Sequence, residues 1–321
     1  MLEFTTAGMA TTVQDLGRPG YYHLGIPQGG VADRVSAIMA NMLVGNDDGA
    51  AVLECTYMGP AFTVTEPTVM AVTGAPVPVK VNGTEQPPWT RLDLAAGDEV
   101  SFGVIQGGVR YYLAFAGGID VPEALGSRST YPIGGLGGVE GRAVRAGDSV
   151  PVGTPASLPA GREIPAALRP EFAREQRVRV VFGLYDHRLT PEGRRRLVEE
   201  EWTLTPVADR TGLRYNGPGV EWVEREQPFG AGQDPSNIVD AGYAVGSIQI
   251  PGGTQPIILH RDAVSGGGYA MVATVISADL DLVARAAPGT TTRFVEVTHE
   301  EAVAARAETR ELLDRARAAL A

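Results

Sequence analysis

Short apolar runs, rich in β-branched and aromatic residues, alternate with polar turns along most of the chain. The first half contains AFTVTEPTVMAVTG, PVPVKVNG, LDLAAGDEVSFG and VRYYLAFAGG, each broken by Gly, Asn, Asp or Pro. The second half contains RVRVVFG, VGSIQI, PIILH, YAMVATVIS and TTRFVEV. Because runs of this length bounded by turn residues are typical of strands, the sequence predicts a mainly β protein.

One stretch of the first half follows a helical pattern instead. In GGVADRVSAIMANMLVGN, Val35, Ile38, Met39 and Met42 fall on one side of a helix. Asp33 lies near the start of this helix and is a candidate for its N-terminal cap. The pattern predicts one short helix among the strands of the first half.

Two segments of the second half are also helical in pattern. One lies near 190–200, and the other is the end of the chain, THEEAVAARAETRELLDRARAAL. Thr298 and Glu301 have the spacing of a capping box, in which each side chain accepts a backbone N–H of the other residue. The narrow apolar stripe of the terminal helix consists of Leu313, Ala316 and Leu320.

A segment rich in proline, alanine and charge interrupts the β pattern between 153 and 177. It reads GTPASLPAGREIPAALRPEFAREQR, a composition typical of a domain boundary. A chain of 321 residues is also long for a single core. The sequence therefore predicts an N-terminal domain over 1–155, a C-terminal domain over 175–298 and a terminal helix over 299–321.

Composition and charge narrow the classes of function. Gly and Pro number 41 and 23 of 321 residues, which indicates many tight turns. The formal net charge is −11, and the one dense basic stretch, RRR at 194–196, lies beside glutamates, so nucleic acid is not an expected partner. No apolar run approaches the ~18 residues of a membrane span, and the N-terminus lacks the pattern of a signal peptide, so no membrane is expected.

Lysine, histidine and cysteine are rare in this chain, and their positions argue against several kinds of functional site. Lys80 is the only lysine, and VPVKVNG suits neither a P-loop nor a biotin attachment site, so a biotinyl arm must belong to another chain. The four histidines do not have ligand spacing, and no metal site is expected. A Ser-His-Asp arrangement stays open, although no G-x-S-x-G is present. Cys55, the single cysteine, lies in the apolar AVLECTYMG, which favours a buried, unreactive thiol and a cytoplasmic location.

Polar residues in glycine-rich surroundings remain as candidates for chemistry. Singly, each is typical of a turn or a cap, but as a set they are typical of a site that binds a small amide-like or carboxylated molecule. The predicted substrate-binding residues are Gln14, Asp15, Arg18, Asp33, Asn41, Arg128, Gln249, Gln255 and Tyr269. The predicted catalytic residues are Arg210, Asp262 and Asn237.

Many motifs, in this order, resemble the allophanate hydrolase subunit 2 family. They are TTVQDLGRPGYYHLGIPQGGVAD, AIMANMLVGN, VLECTYMGP, YYLAFAGGI, GSRST, ADRTGLRY, GSIQIPGGTQPII, GGGYAMVATVISADL and PGTTTRF. That family includes a subunit of 5-oxoprolinase and the second half of the carboxyltransferase domain of urea carboxylase. The resemblance extends over about residues 3–297.

The resemblance implies a fold and a set of partners. The fold would consist of two cyclophilin-like β-barrel domains with a few short helices. A subunit 1 type partner protein would complete a hetero-oligomer, with a site formed where the two proteins meet. In the carboxylases, biotin is carried by another domain or chain and ATP is consumed at a biotin carboxylase, so both would be used by the complex. The expected substrate is a small amide or lactam.

Two segments bear on which reaction is implied. Many family members read close to D-R-Q-T-x-G-G-Y where this chain has DAVSGGGY at 262–269, so the Arg and the Gln are absent. In contrast, DPSNIVDAGYAVGSIQI at 234–250 is similar to the Ser-Asn-Ile-x-Asp segment of urea carboxylases. The resemblance therefore favours a carboxyltransferase that moves CO₂ from carboxybiotin to a urea-like or amide nitrogen.

In that reaction, Arg210 or Arg128 would hold a carboxylate or developing negative charge, while Asn237, Gln249 and Asp262 would bind the amide. Two alternatives stay open. One is a 5-oxoprolinase subunit, with ATP-dependent ring opening of 5-oxoproline to glutamate. The other is a non-catalytic regulatory protein that binds the subunit 1 partner and withholds it from another target.

Overall fold

The computed structural model describes all 321 residues. Strands account for 34% of them and helices for 20%, which confirms the predicted mainly β class. The chain divides into two compact units. The first unit comprises Met1–Arg18, Gly29–Phe172 and Thr309–Ala321, and the second comprises Pro19–Gln28 and Ala173–Glu308.

Eleven antiparallel strands form two sheets in the first unit. In chain order they are β1 Leu2–Thr6, β2 Ala10–Gln14, β3 Val52–Thr56, β4 Ala61–Val64, β5 Thr68–Gly74, β6 Val79–Val81, β7 Thr84–Gln86, β8 Arg91–Leu94, β9 Glu99–Phe102, β10 Arg110–Phe115 and β11 Ser149–Val150. One sheet has the order β11-β1-β4-β9-β6-β7, and the other has the order β2-β3-β10-β5-β8. Leu2 and Phe62 of the first sheet meet Leu53, Val72 and Phe115 of the second in one buried core. In this unit, two sheets rather than one hydrogen-bonded ring surround the core.

Helix α1, Arg34–Leu43, lies in the first unit where the sequence predicts a helix. The side chain of Asp33 accepts a hydrogen bond from the backbone N–H of Ser36 at 3.2 Å, so Asp33 is the N-terminal cap. The helix packs in a second apolar cluster with Trp89 and Ile164. Capping and burial together explain where this helix begins and why it is stable.

The second unit is built around a closed barrel. Its strands are β12 Glu175–Phe182, β13 Trp202–Ala208, β14 Gly212–Asn216, β15 Asn237–Gly242, β16 Ser247–Gln249, β17 Ile257–Leu259, β18 Gly266–Tyr269, β19 Met271–Val275 and β20 Thr291–Glu296. Seven of them close in the order β12-β19-β16-β17-β14-β13-β20, through a parallel pair in which Val178 lies opposite Phe294. Strands β15 and β18 form a separate two-stranded ribbon. Trp202, Ile248 and Ile258 help to fill the barrel interior.

Three further helices follow the barrel strands: α2 Pro191–Glu199, α3 Leu280–Arg285 and α4 His299–Leu320. Helix α2 occupies the predicted segment, and Arg195 on its surface pairs with Glu192 and Glu199. At the start of α4, Glu301 N donates to Thr298 Oγ1 at 3.1 Å and Thr298 N donates to Glu301 Oε2 at 2.8 Å, which confirms the capping box. No helix of the protein combines the length and the apolar character needed to cross a membrane.

Candidate functional site

In the first unit, four donors converge on the carboxylate of Asp15. The backbone N–H groups of Gly17 and Arg128 donate at 2.7 and 2.6 Å, and the hydroxyls of Ser127 and Ser129 donate at 2.6 and 2.5 Å. Three of these donors bind Oδ1 and one binds Oδ2, so most of the accepting capacity of the carboxylate is used within the protein. The sequence predicts that Asp15 and Arg128 of the GSRST motif belong to one site. In the structure Asp15, which follows β2, is hydrogen-bonded to this motif and so connects it to β2.

Gln14 and Arg18 strengthen the same link. Both side chains are buried, and Gln14 Nε2 donates to Thr130 O at 3.1 Å. The guanidinium of Arg18 donates to Ala124 O at 3.3 Å and to Ser129 O. A glycine is required beside them, because a Cβ on residue 137 would lie 2.1 Å from Ser129 O. The backbone-permissive residues here allow a glycine-rich loop to pack against the 127–130 segment.

The other candidates of the first unit also have partners within the protein. Asp33 caps helix α1, with Ser36 Oγ donating to its carboxylate at 2.6 Å. Asn41 donates to Ala50 O at 2.9 Å from inside that helix. The guanidinium of Arg128, about one-third exposed, pairs with Glu123 at 2.8 Å and with Asp120 at 3.3 Å. The role of these residues in substrate binding stays a prediction.

In the second unit, Arg210 and Asp262 form a forked ion pair. Arg210 Nε lies 2.7 Å from Asp262 Oδ2, and Arg210 Nη2 lies 2.9 Å from Asp262 Oδ1. Asp262 is only 5% exposed, and its backbone N–H donates to Arg210 O at 2.8 Å. The pair fastens the turn between β13 and β14 to the end of β17. The sequence predicts that Arg210 holds a carboxylate and that Asp262 binds the amide. In the structure the two side chains are paired with each other.

Asn237, Gln249 and Tyr269 lie on strands that are linked through the segment 269–271, and we call these three residues the amide cluster. Asn237 lies opposite Tyr269 in the ribbon, and Gln249 lies opposite Met271 in the barrel. Ala270 N also donates to Ser236 O at 2.8 Å, which ties the two segments together. Asn237 and Tyr269 are thus paired directly, and Gln249 is connected to them through the segment 269–271.

The remaining candidate of the second unit lies beside the amide cluster. This candidate is Gln255, whose Oε1 accepts a hydrogen bond from Arg214 at 3.1 Å. Arg214 lies opposite Ile257, and Ile257 in turn lies opposite Gln249 on its other side. Arg210 and Asp262 flank the other end of the β14–β17 ladder. The structure therefore groups Gln255 with the amide cluster and places the ion pair apart from it.

The side-chain oxygen of Gln249 has an unusual environment. This atom is buried and has no hydrogen-bond partner within the protein. Buried polar atoms are nearly always hydrogen-bonded, because the desolvation of an unpaired acceptor costs about 1–3 kcal/mol. An N–H group of a ligand would satisfy this oxygen.

Two residues beside the amide cluster were missed by sequence reasoning. Arg188 is 6% exposed, donates to Asn237 O at 2.8 Å and stacks over the ring of Tyr185, with 5.2 Å from its guanidinium carbon to the ring centroid. Tyr243 donates to Tyr269 O and accepts from Tyr269 N, both at 2.8 Å, and burial raises the pKa of its phenol. No local signal marks Arg188, since its contact with Asn237 joins positions 49 residues apart.

A buried carboxylate in the first unit was missed as well. Glu54, on β3, accepts from Ala32 N at 2.7 Å and from the hydroxyl of Tyr112 at 3.1 Å, and it lies 3.5 Å from Arg110. Burial, followed by the charge of Glu54, raises the pKa of Tyr112 well above its ordinary value. The network fixes the backbone that leads into the α1 cap. No cluster of three or more His, Cys, Asp or Glu side chains is arranged to hold a metal ion.

Comparison with known proteins defines the class. The chain matches the family described as "Carboxyltransferase domain, subdomain A and B" over residues 24–296, and it belongs to this family. It is 33% identical to the urea amidolyase of Saccharomyces cerevisiae over 314 residues, which cover 93% of this chain and 17% of that protein. It is 34% identical to a 5-oxoprolinase subunit of Escherichia coli over 309 residues, which cover 95% of this chain and 94% of that protein.

A solved structure extends the similarity to the fold. The crystal structure of the Kluyveromyces lactis urea carboxylase matches with a TM-score of 0.91 and 33% identity, covering 98% of this chain and 29% of that chain. The chain thus spans less than a third of the urea carboxylase and about a sixth of the urea amidolyase, but nearly all of the 5-oxoprolinase subunit. The predicted family resemblance is confirmed.

Proposed function

We propose that this chain is the carboxyltransferase component of a two-component, amide-processing enzyme. In this proposal it directs a carboxyl group from carboxybiotin to the nitrogen of a urea-like or amide substrate. The match to urea carboxylase over 98% of this chain supports the proposal. The segment DPSNIVDAGYAVGSIQI supports it further, because this segment supplies both Asn237 and Gln249.

The observation that carries the proposal is the unpaired, buried oxygen of Gln249. A urea-like or amide substrate carries N–H groups, and one of them provides the donor that this oxygen lacks once the Gln249 side chain turns out of its buried position. Asn237 contributes a second side-chain amide from the linked ribbon strand. Together the two residues bind the substrate amide and orient its nitrogen, while the Arg210–Asp262 pair holds the neighbouring turns of the barrel.

The carboxyl donor comes from another domain or chain. Lys80, the only lysine, lies in the middle of β6 with strands paired on both sides, Glu85 opposite it in one and Ser101 in the other. Biotin, when bound, supplies the activated carboxyl group. An open, mainly apolar groove of about 530 Å³ is lined by Met271, Phe182 and Val245 among other residues.

The partners follow from the same proposal. A subunit 1 type protein completes the enzyme, and a biotin carboxylase with its biotin carrier consumes ATP to load the donor. This chain contributes the binding and orientation of the amide.

A second candidate function is that of a 5-oxoprolinase subunit. It is favoured by the match to the Escherichia coli protein, because that match covers 94% of the other protein as well as 95% of this chain. In this alternative, the amide cluster binds the lactam of 5-oxoproline, and the complex uses ATP for ring opening without biotin.

ATP hydrolysis by the complex distinguishes the two candidates. The chain is purified together with its subunit 1 partner and assayed with urea and with 5-oxoproline, each with and without the biotin-carrying subunit and bicarbonate. Our proposal predicts that stimulation by a urea-like substrate requires both additions. Hydrolysis stimulated by 5-oxoproline in the absence of both would reject it in favour of the second candidate.

A further inference from the structure

Arg188 is a buried cation without an acidic partner beside the amide cluster. Its side chain donates to one neutral acceptor, Asn237 O, and stacks on the ring of Tyr185. The carboxylate two residues before it, that of Asp186, is bound instead by Arg194 at 2.7 Å. A buried charge is costly unless an opposite charge or full hydrogen bonding compensates for it. The N–H groups of Arg188 that do not face Asn237 are not among the buried unpaired atoms, so they are open to water or to an anion.

A second arginine approaches the same carbonyl oxygen. Arg225 Nη2 lies 3.5 Å from Asn237 O, and the only other acceptor of Arg225 is the neutral Gln227. Two guanidinium groups thus meet at Asn237, and neither has a carboxylate oxygen within ion-pair distance. Arg225 is exposed and lies between Glu224 and Glu226, whereas Arg188 is buried, so Arg188 is the better suited of the two to an anion.

The two arginines that the sequence favoured for binding a carboxylate already have acidic partners within the protein. Arg210 forms a bidentate ion pair with Asp262, and Arg128 pairs with Glu123 and Asp120. An incoming carboxylate would have to displace these partners. At Arg188 it would instead supply the charge that the site lacks, and the planar guanidinium matches a carboxylate with two parallel hydrogen bonds.

We propose that Arg188 is a carboxylate-binding residue, which holds the carboxylate of a ligand whose adjacent amide is bound by Asn237 and Gln249. This inference rests on the proposed function, in which the carboxylate is the one formed on the substrate nitrogen. The ligand class is an amide with a carboxylate one atom away. 5-Oxoproline contains the same pair of groups, so the binding experiment includes it as a separate arm.

The test compares anionic and neutral ligands of the same shape by calorimetry on the full chain. Malonamate stands for the N-carboxylated product and malonamide is its neutral control, while 5-oxoproline is paired with 2-pyrrolidinone. We expect malonamate to bind about tenfold to hundredfold more tightly than malonamide, the range of a charge-assisted, two-pronged hydrogen bond. A preference confined to 5-oxoproline would assign the carboxylate to the lactam and reject the N-carboxylated product as the ligand.

Variants of Arg188 test whether this residue causes the preference for the anionic ligand. We expect Arg188→Gln to reduce the preference for the anion to less than about threefold, with the affinity for the neutral ligand retained. Arg293→Gln is the matched control, because this exposed arginine of the same unit pairs with Glu201, and it should bind as the wild type does. If Arg188→Gln does not fold, Arg188→Lys decides, and it should bind the anion about tenfold more weakly because the fork is lost.

The proposal would be overturned by an equal affinity of the wild type for anion and neutral ligand, or by absence of binding to both. An anion preference that survives Arg188→Gln, or an unchanged affinity in Arg188→Lys, would also overturn it. None of these measurements needs turnover. A failure of this inference can therefore be distinguished from a failure of the carboxyltransferase proposal, which is tested by ATP hydrolysis.

Discussion

Asp15 and Gln249 have opposite hydrogen-bonding states. The Asp15 carboxylate accepts hydrogen bonds from four donors of the protein, whereas the side-chain oxygen of Gln249 is buried with none. A group whose hydrogen bonds lie mainly within the protein stabilises the fold, and an unsatisfied buried group lowers stability until a donor pairs with it. We therefore interpret Asp15 as a structural residue and Gln249 as a binding residue.

Replacing Asp15 should test the structural role. Asp15→Ala leaves four donors without their acceptor, and we expect a loss of at least about 3 kcal/mol in the free energy of unfolding. A single hydrogen bond to a charged group is worth about 1.5–3 kcal/mol, and the four do not add in full because the site is only partly buried and water replaces some of them. Chemical denaturation measures this loss. Asp120→Ala, which removes an exposed partner of Arg128, is the control and should cost less than about 1 kcal/mol. Equal losses in the two variants would contradict the structural role of Asp15.

Replacing Gln249 should separate stability from binding. Gln249→Leu removes a buried acceptor that has no partner, so we expect stability to be unchanged or raised by up to about 1 kcal/mol. The same change should raise KM for the amide substrate about tenfold, because a substrate hydrogen bond is lost. Gln176→Leu is the matched control, since Gln176 donates to Thr292 at 2.9 Å and should lose stability without a change in KM. A loss of stability in Gln249→Leu at constant KM would contradict our interpretation.

Cys55 provides a test of burial in the first unit. Burial raises the pKa of its thiol to about 12, and because only the thiolate reacts, very little of the reactive form exists at pH 8. We expect a disulfide reagent to label the folded protein negligibly at pH 8 and to label one thiol per chain after denaturation. Fast labelling of the folded protein would show that the thiol is accessible. The raised pKa agrees with the unreactive thiol that the sequence predicts.

Among the elements, helix α4 depends on its first turn. The Thr298–Glu301 box satisfies two backbone N–H groups, and beyond it Ala302 and Val303 line the apolar groove of the second unit. We expect Thr298→Ala to cost about 1 kcal/mol, the usual value of an N-terminal cap. Thr298→Ser keeps the hydroxyl and should leave the stability unchanged, because serine is at least as good a cap as threonine. Thermal unfolding of both variants measures the difference, and equal melting temperatures would show that the cap contributes little.

The strand elements explain where the candidate site lies. Ribbon strands β15 and β18 bring Asn237 to Tyr269, and barrel strands β16 and β19 bring Gln249 to Met271. The side chains of the amide cluster are thus fixed by backbone hydrogen bonds of two paired elements. A site held in this way keeps its geometry before a ligand binds, which lowers the cost of binding.

For the whole molecule, the sequence predicts what depends on local periodicity. The α1 cap at Asp33, helix α2 and the box at Thr298 follow from neighbouring residues, and the structure confirms each. Barrel closure by the parallel pairing of β12 with β20 joins residues more than 100 positions apart, as Gln176 and Thr292 illustrate. No local pattern encodes such a register, so the strands were predicted but not their order.

In the candidate site, too, the features set by neighbouring residues were predictable, and those set by distant residues were not. Polar residues in glycine-rich segments identified most of the groups that the structure brings together, including Asn237 and Gln249. Their hydrogen-bonding states could not be predicted, because these depend on partners from distant parts of the chain. Arg210 was expected to hold a ligand's charge and is paired with Asp262, whereas Arg188 was not singled out and has no acidic partner.

The central claim is that this chain directs a carboxyl group to an amide nitrogen. The most direct test is ¹³C NMR of the reconstituted complex supplied with ATP, ¹³C-bicarbonate and either a urea-like substrate or 5-oxoproline. Our account predicts a labelled carboxylate bonded to nitrogen, formed only with the biotin-carrying subunit and blocked by avidin. Unlabelled glutamate formed from 5-oxoproline, at a rate independent of bicarbonate and avidin, would contradict it.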